Sequence, residues 1–234
     1  MKVGIGLITY NRPETCLRAA KAIRETSTNA NYVCVIDGGD WRSYDDWIFN
    51  NYTVIVGQNM GGLQNKNRAL NYLQACDVII LIEDDLIPIK SGWVEYICNV
   101  LKETNYEHLT CVVPANKKDI KLISLSGEIE LWPKVSGPLM VMTKKCLEKV
   151  GIGDPNYKGY GHGHTDYTRR CKKAGIYPDH GWVNLKRFDE YFKYMGDIPA
   201  TTSIEDRKKD LVHNSAYFKK DSNKIYIGFN ELFI

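Results

Sequence analysis

The sequence predicts an α/β fold in which a mainly parallel central sheet is flanked by helices. Short apolar runs alternate with amphipathic segments along the first half of the 234-residue chain, and this spacing is typical of βαβ units. One of the runs, residues 78–82 (VIILI), is aliphatic throughout. Such a run is expected in a strand that is buried on both faces of a parallel sheet.

Composition and charge fit a single globular domain. Hydrophobic residues make up 44% of the chain, charged residues make up 25%, and the formal net charge is +3, which are ordinary values for such a domain. So small a charge gives no argument for a nucleic-acid or membrane partner. Because no apolar stretch approaches the length of a transmembrane helix, we expect a cytoplasmic protein.

The seven cysteines are consistent with that expectation. Their number is odd, they form no Cys-x-x-Cys motif, and several fall within predicted strands or helices. This pattern favours buried, reduced thiols in a reducing compartment and argues against a zinc site.

The first half of the chain, to about residue 115, predicts a Rossmann-like arrangement. Asn11 is placed to cap the first helix, which has Pro13 in its first turn, and Ser91 is placed to cap a later helix. The predicted strands cover residues 3–9, 32–36, 52–56, 78–82 and 110–113, and the predicted helices include residues 13–26 and 63–75.

The second half is less regular. Its predicted elements are strands at residues 139–142 and 182–185, helices at 143–150 and 166–174, and a glycine-rich loop at 157–164. Beyond residue 186 only a terminal strand at 224–227 is indicated. The segment from about 188 to 223 is polar and without regular apolar spacing, and such stretches are mobile unless another part of the protein holds them.

An acidic triplet, Glu83-Asp84-Asp85, follows the aliphatic run. Three adjacent carboxylates repel one another and resist burial, so they need a compensating charge. Oxygen ligands favour Mg²⁺ or Mn²⁺ as that charge. The alternative is an acidic turn held by a neighbouring arginine or by a helix N-terminus.

Other polar segments follow the neighbouring strands. They are residues 9–12 (TYNR) after the first strand, Asp37 after the second and residues 61–68 after the third. Ligands of open α/β sheets bind at the carboxyl ends of the strands, so these segments and the triplet would share one crevice. The glycine-rich fingerprints of dinucleotide-binding and P-loop proteins are absent from the sequence.

The order of these motifs resembles that of the family 2 glycosyltransferases, which have the GT-A fold. The resemblance covers roughly residues 3–185. The matching motifs are Thr9-Tyr10-Asn11-Arg12, Asp37, residues 59–69 (NMGGLQNKNRA), the triplet in place of Asp-x-Asp, the segment from Gly137 to 142, residues 151–154 (GIGD), the loop that ends at Asp166, Arg170 and Gly175.

Four positions depart from the family pattern. Glu83 replaces the first acid of Asp-x-Asp and keeps the carboxylate, and Lys66 replaces an arginine and keeps the positive charge. Ala69 stands where a glycine is usual. Thr165 stands where relatives have a glutamate that often contacts the acceptor.

The resemblance implies a metal-dependent inverting transferase that uses a nucleotide-diphosphate sugar, with UDP favoured, and Mn²⁺ or Mg²⁺. Asp85 would be the main metal ligand. Asp37 would accept the N3–H of uracil, or would instead cap the Gly38-Gly39 turn. The remaining residues expected at the donor are Thr9, Tyr10, Asn11, Arg12, Lys66, Asn67, Glu83 and Asp84. Lys66 and Arg68 would hold phosphate oxygens near a helix N-terminus, or would lie on a solvated helix face.

The resemblance also implies roles in the second half of the chain. Asp166 would be the catalytic base, its alternative being a plain helix N-cap. His213 would be a second metal ligand or a surface histidine. Residue type and position alone leave two interpretations for three more residues: Trp132 stacks on an acceptor sugar or belongs to the core, and His162 and His164 bind metal or lie on the polar surface. The residues expected at the acceptor are Trp132, Gly137 and Thr165.

The whole chain, 1–234, would then form one domain. Residues 1–115 would bind the nucleotide-sugar, 116–185 would bind the acceptor, and 186–234 would close over the donor as a lid. The acceptor would be a glycan or a lipid-linked saccharide, with a modified nucleic-acid base or a protein as alternatives. A sugar-nucleotidyltransferase and a non-catalytic sugar-nucleotide-binding module are the competing functions.

Overall fold

A six-stranded sheet lies at the centre of the computed structural model, which describes residues 1–118, 120–196 and 202–219. In chain order the strands are β1 (Val3–Thr9), β2 (Ala30–Asp37), β3 (Thr53–Gly57), β4 (Val78–Glu83), β5 (Leu86–Pro88), β6 (His108–Cys111), β7 (Ser124–Ser126), β8 (Ile129–Trp132), β9 (Ser136–Thr143), β10 (Trp182–Leu185) and β11 (Phe192–Tyr194).

Helices cover the sheet. They are α1 (Pro13–Thr26), α2 (Asp46–Asn51), α3 (Gly62–Leu73), α4 (Trp93–Thr104), α5 (Pro114–Lys117), α6 (Lys144–Val150), α7 (Gly163–Lys173), α8 (Phe188–Tyr191) and α9 (Ile204–Phe218). A single 3-10 turn spans Trp41–Ser43.

The central sheet has the strand order β3-β2-β1-β4-β9-β6. Strands β1 to β4 pair in parallel, whereas β9 runs antiparallel to both of its neighbours, β4 and β6. The predicted mainly parallel sheet flanked by helices is therefore confirmed. The direction of β9 could not be read from its sequence, because strand direction depends on the path of the chain between strands.

The aliphatic run forms β4, and its residues from Val78 to Ile82 are all buried. Every residue of β1 is buried as well. Both strands are interior strands of the sheet, so they are covered on two faces, which explains their continuous apolar character.

Two smaller sheets extend the structure. Strands β10, β8 and β7 form an antiparallel sheet, and β11 pairs antiparallel with β5. The second pair returns the chain to the segment just after the acidic triplet, where the Met195 amide donates to the Asp85 carbonyl at 2.8 Å. The sequence indicated neither β5 nor β11, because strands of three residues are too short to show a period.

Two predicted helix caps are wrong. Asn11 has a positive φ of 50° and lies on the exposed turn before α1, whose N-cap position is Arg12. The helix after Ser91 begins at Trp93, and its N-cap is Gly92 in the left-handed region. Elsewhere Thr143, which the sequence placed inside a helix, caps α6 by accepting from the Cys146 amide.

The last described element is α9, which the sequence did not predict. It is amphipathic only weakly, and a single residue of it, Asn214, is buried. The predicted terminal strand at residues 224–227 lies outside the described residues.

All seven cysteines are buried and free, as their pattern predicted. Among the described residues, no helix is long and apolar enough to cross a membrane.

Candidate functional site

A cleft of about 1420 Å³ opens at the carboxyl ends of β1, β2 and β4. The start of α3 and the glycine-rich loop form two of its walls, and α9 lies at its mouth. The acidic triplet lies inside it, so the crevice expected from the sequence exists.

The loop and α3 approach each other at two glycines. Gly61, with φ of 93°, forms an isolated bridge to Gly159, and a Cβ on Gly61 would lie 2.5 Å from backbone atoms of Gly159. Only glycine permits both the conformation and the approach. This contact joins the two halves of the chain at the cleft.

Asp84, the middle acid, is held by the protein itself. Its carboxylate accepts from the Thr9 hydroxyl at 2.7 Å and from the Arg12 guanidinium at 3.1 Å. Burial raises the pKa of Asp84 to about 6, although these two donors oppose the change. Asp84 therefore agrees with the alternative in which a neighbouring arginine holds the acidic turn, because Arg12 and Thr9 both donate to its carboxylate.

Glu83, the first acid, pairs with a buried lysine. The Lys66 ammonium donates to the Glu83 carboxylate and, at 3.0 Å, to the Gly137 carbonyl. Burial alone would raise the pKa of Glu83, but the charge and hydrogen bond of Lys66 outweigh it and lower the pKa. Lys66 is only 3% exposed, so it does not lie on a solvated helix face.

Asp85, the last acid, has no such partner. Its Oδ1 atom is buried and forms no hydrogen bond within the described residues. Burial, followed by repulsion from Glu83 and Asp84, raises the pKa of Asp85 to about 7. A buried carboxylate oxygen without a donor is costly, and a hard cation would remove the cost. Asp85 therefore fits an Mg²⁺ or Mn²⁺ ligand.

The protein supplies only part of a coordination sphere. Among the described residues, no group of three or more histidine, cysteine, aspartate and glutamate side chains is arranged to hold a metal ion. Further ligands would have to come from a bound molecule or from water.

Asp37 lines the cleft but is already engaged. Its carboxylate accepts from the Met60 amide at 3.1 Å, the Gly61 amide at 2.9 Å and the Arg68 guanidinium at 2.9 Å. These bonds fix the segment that leads into α3. The alternative, that Asp37 caps the Gly38-Gly39 turn, is wrong, because Asp37 accepts from the amides of Met60 and Gly61 instead.

The polar residues of α3 divide into two sets. Lys66 faces the acidic triplet, whereas Asn67 is fully buried and exchanges hydrogen bonds of 2.8 and 2.9 Å with the Gly153 backbone. Arg68 is buried against Asp37 and Asn65. The prediction that Asn67 contacts a donor is therefore wrong, since this side chain joins two parts of the fold.

After β1, Tyr10 lines the cleft and is partly buried. Asn11 is exposed and does not line the cleft, so it does not fit the donor role predicted for it. Gly137 and Thr165, which the sequence assigned to the acceptor, also line the cleft.

Asp166, the predicted base, is fully buried and does not line the cleft. Its carboxylate pairs with the Arg169 guanidinium at 2.7 Å and with the Arg170 guanidinium at 3.3 Å. This placement contradicts the prediction of a catalytic base, because an acceptor hydroxyl cannot reach the carboxylate. The N-cap alternative is also wrong, since α7 begins at Gly163.

His164, two residues earlier, does line the cleft. Its ring packs against Gly137, where an added Cβ would lie 3.0 Å from the His164 Nδ1 atom. Burial, with a smaller contribution from the nearby Lys66 charge, lowers the pKa of His164 to about 4. The imidazole is therefore neutral at pH 7. The sequence indicated a histidine in the glycine-rich loop, but it did not show that the His164 side chain faces the cleft.

Two further predicted residues lie away from the cleft. His213 is exposed on α9 and lines a separate shallow depression with Lys208, Lys209 and Val212. Trp132 donates to Glu130 at 2.9 Å, lies beneath the Lys117 ammonium, and does not line the cleft. Neither the second metal ligand at His213 nor the sugar platform at Trp132 agrees with this arrangement.

Helix α9 is attached to the glycine-rich loop. The buried Asn214 amide donates to the carbonyls of Lys158, Tyr160 and Gly161 at 2.7 to 3.1 Å, and its oxygen accepts from the Lys158 amide at 3.2 Å. His162 bonds Ser215 at 2.9 Å. The face of α9 that carries Asp206, Arg207 and Asp210 turns toward the cleft.

The fold corresponds to that of the GT-A glycosyltransferases. No protein-family model matches the sequence. The chain is 24% identical over 196 residues to an uncharacterized glycosyltransferase, R363, of Acanthamoeba polyphaga mimivirus, and the match covers 76% of each protein.

Two solved structures share the fold. GalNAc-T7 with UDP, GalNAc and Mn²⁺ superposes with a TM-score of 0.63 at 10% identity over 79% of this chain. The mannosyltransferase PcManGT from Pyrobaculum calidifontis, with GDP-Man and Mn²⁺, superposes with a TM-score of 0.61 at 14% identity over 96% of this chain. The chain spans 42% of the first protein's length and 66% of the second's. The resemblance to a GT-A-like glycosyltransferase is thereby confirmed.

Proposed function

We propose that this protein transfers a sugar from a nucleotide-diphosphate sugar to an acceptor hydroxyl with inversion, and that it requires Mn²⁺ or Mg²⁺. The observation that carries the proposal is the buried, unpaired Oδ1 of Asp85 in a cleft at the carboxyl ends of the strands. A site that leaves one carboxylate oxygen without a donor, while both neighbouring acids are paired, suits a cation.

Asp85 would hold the metal, and oxygens of the donor diphosphate would complete its coordination. The metal would stabilise the negative charge that builds up on the departing diphosphate. Arg12 and Lys66 keep Asp84 and Glu83 in place beside it. These fixed pairs orient Asp85 without sharing its free oxygen.

The proposed reaction is a single displacement. An acceptor oxygen attacks the anomeric carbon of the sugar, and the bond from that carbon to the diphosphate oxygen breaks with its electron pair on the diphosphate. The acceptor proton must pass to a base within hydrogen-bond reach. Gly137 and Thr165, which line the cleft, would form the acceptor side.

We propose UDP as the nucleotide, as the sequence resemblance implies. GalNAc-T7 carries UDP, whereas the mannosyltransferase carries GDP-Man, so fold similarity is compatible with either nucleotide. Asp37 can contribute to uracil binding only beside the three hydrogen bonds that it already accepts. The proposal of UDP therefore rests on the order of the sequence motifs.

A glycan or a lipid-linked saccharide remains the proposed acceptor, and a modified nucleic-acid base or a protein side chain remains the alternative. The seven free cysteines support a reducing, cytoplasmic setting.

The test uses the full chain with a panel of UDP- and GDP-sugars, with and without Mn²⁺. A bound donor raises the melting temperature by mass action, and release of nucleoside diphosphate reports turnover. We expect a shift that depends on both nucleotide-sugar and Mn²⁺, followed by slow donor hydrolysis. Binding without any hydrolysis or transfer would favour a non-catalytic module, and release of pyrophosphate from a sugar phosphate and a nucleoside triphosphate would favour a nucleotidyltransferase.

A further inference from the structure

The proposed reaction needs a base, and the carboxylate expected from the motifs cannot serve. Asp166 is fully buried beneath two arginines that occupy both of its oxygens. Its role is to hold α7 in place, since Arg170 also donates to the carbonyls of Val150 and Ile152 at 2.5 and 2.8 Å. The base must therefore be another group that lines the cleft.

Most acids that line the cleft already have a partner. Asp37, Glu83 and Asp84 pair with Arg68, Lys66 and Arg12. On α9, Asp206 accepts from Ser203 at 2.7 Å and Asp210 accepts from the Tyr160 amide at 3.0 Å.

Of the two histidines in the cleft, His162 is bonded to Ser215 and stacked on Phe218. The ring of His164 has no hydrogen-bond partner among the described residues. Among the described carboxylates and imidazoles that line the cleft, Asp85 and His164 are therefore the ones whose side chains remain available. Asp85 is the proposed metal ligand, which leaves His164.

We infer that His164 is the catalytic base, which takes the proton from the acceptor hydroxyl during transfer. The inference rests on the proposed glycosyl transfer. As the acceptor oxygen bonds to the anomeric carbon, its proton moves to an imidazole nitrogen, and the bonding pair of the O–H stays on the oxygen. The imidazolium then loses that proton to solvent, and the diphosphate keeps the electron pair of the broken bond.

The surroundings of His164 suit this role. Its ring lies against Gly137, a residue of the proposed acceptor side whose carbonyl is fixed by Lys66. The charged or titratable groups that act on it are Lys66 of α3, Glu83 of β4, His108 of β6 and His162 of its own loop. Burial and the Lys66 charge favour the neutral ring, whose lone pair can accept a proton, and the Glu83 carboxylate favours the imidazolium that then forms.

The position of Gly137 explains the arrangement. A Cβ there would lie 3.0 Å from the His164 Nδ1 atom, so a larger residue would require the ring to shift by a few tenths of an ångström. The ring in turn comes from the first turn of α7, which is held by the buried Asp166 pairs. Asp166 is thus a positioning residue for the base.

The test compares His164→Gln with the matched variant His213→Gln, whose histidine is exposed and away from the cleft. The substrate is the nucleotide-sugar from the panel that gives the largest Mn²⁺-dependent thermal shift with wild type. We expect His164→Gln to lower kcat about a hundredfold or more, as loss of a general base does. Its Mn²⁺- and UDP-dependent thermal shifts should stay at the wild-type size, and His213→Gln should match wild type throughout.

A second variant, His164→Gly, provides a readout that a structural role would not move. Free imidazole at millimolar concentration should restore part of its turnover and should not affect His164→Gln. Near wild-type kcat in His164→Gln would overturn the assignment, as would loss of its Mn²⁺-dependent shift, which would make His164 a metal ligand. If wild type itself shows neither a donor-dependent shift nor turnover, the proposed function fails. If wild type is active and His164→Gln is equally active, only the assignment of the base fails.

Discussion

Lys66 of α3 pairs with Glu83 at the end of β4, although both residues were expected to contact the donor. The pair closes one end of the acidic triplet, and Arg12 with Asp84 closes the middle. Asp85 is left with a buried oxygen that has no donor within the described residues. Of the three adjacent acids, Asp85 is thus the one whose carboxylate remains available as a ligand.

Asp85→Ala should abolish the Mn²⁺-dependent thermal shift and donor turnover while leaving a folded protein. The reason is that Asp85 is the triplet member without a protein partner. Thermal unfolding with Mn²⁺, with Mg²⁺ and in excess EDTA measures the effect, and Glu95→Ala on α4, outside the cleft, is the control. Full wild-type activity in excess EDTA would contradict the metal requirement.

The contribution of Asp85 to the stability of the metal-free protein should fall as the pH rises toward neutrality. The pKa of Asp85 is raised to about 7, from ~3.9 in an unfolded chain. The folded state therefore holds this proton more tightly, and the stabilisation present at low pH is lost as the pH passes through about 7.

In EDTA, the stability of Asp85→Asn relative to wild type should rise by ~1–2 kcal/mol between pH 5 and pH 8, a figure reduced for partial solvent exposure. Urea unfolding at the two pH values measures this difference. Adding Mn²⁺ at pH 8 should stabilise wild type alone, since only wild type can bind it. A stability difference between the two proteins that is equal at pH 5 and pH 8 in EDTA would show that the surroundings of Asp85 do not raise its pKa.

UDP should raise the melting temperature more than GDP does at equal concentration with Mn²⁺. Asp37→Asn should act mainly on stability, because removing one partner of the buried pair with Arg68 leaves a buried charge, at a cost of ~3–5 kcal/mol. Melting temperatures measured without nucleotide, with UDP and with GDP separate the loss of stability from any change in nucleotide preference. A larger shift with GDP would reverse the nucleotide assignment.

Asp166→Asn should reduce stability by ~3 kcal/mol or more, because Arg169 and Arg170 lose the carboxylate that joins them. Turnover per folded molecule should stay much closer to wild type than in His164→Gln. Active-site titration by nucleotide binding gives the folded fraction. A hundredfold loss of kcat in fully folded Asp166→Asn would restore the carboxylate as the base.

Helix α9 should open when its attachment to the glycine-rich loop is removed. Asn214→Ala loses four hydrogen bonds to Lys158, Tyr160 and Gly161, at a local cost of ~1–3 kcal/mol. Hydrogen exchange of residues 202–219 should accelerate in this variant and slow in wild type when Mn²⁺ and UDP are added. His213→Ala is the control and should leave the exchange unchanged, since its side chain is exposed away from the cleft.

The sequence alone determined the layers of the fold and the location of the site. The strand-helix alternation and the buried run of β4 are local periodic patterns, so they could be recognised without the structure. The carboxyl ends of parallel strands meet at one edge, which placed the acidic triplet, Asp37 and the turn after β1 in one crevice. The motif order was sufficient to indicate the GT-A class.

Only the tertiary structure decided which polar side chains face that crevice. His164 and Asp166 lie two positions apart in the first turns of α7, so their side chains point about 200° apart around the helix. One enters the cleft and the other enters the core, and which does so depends on how α7 packs against β9 and α6. The antiparallel direction of β9 and the attachment of α9 through Asn214 have the same origin, contacts between residues far apart in the chain that no local pattern records.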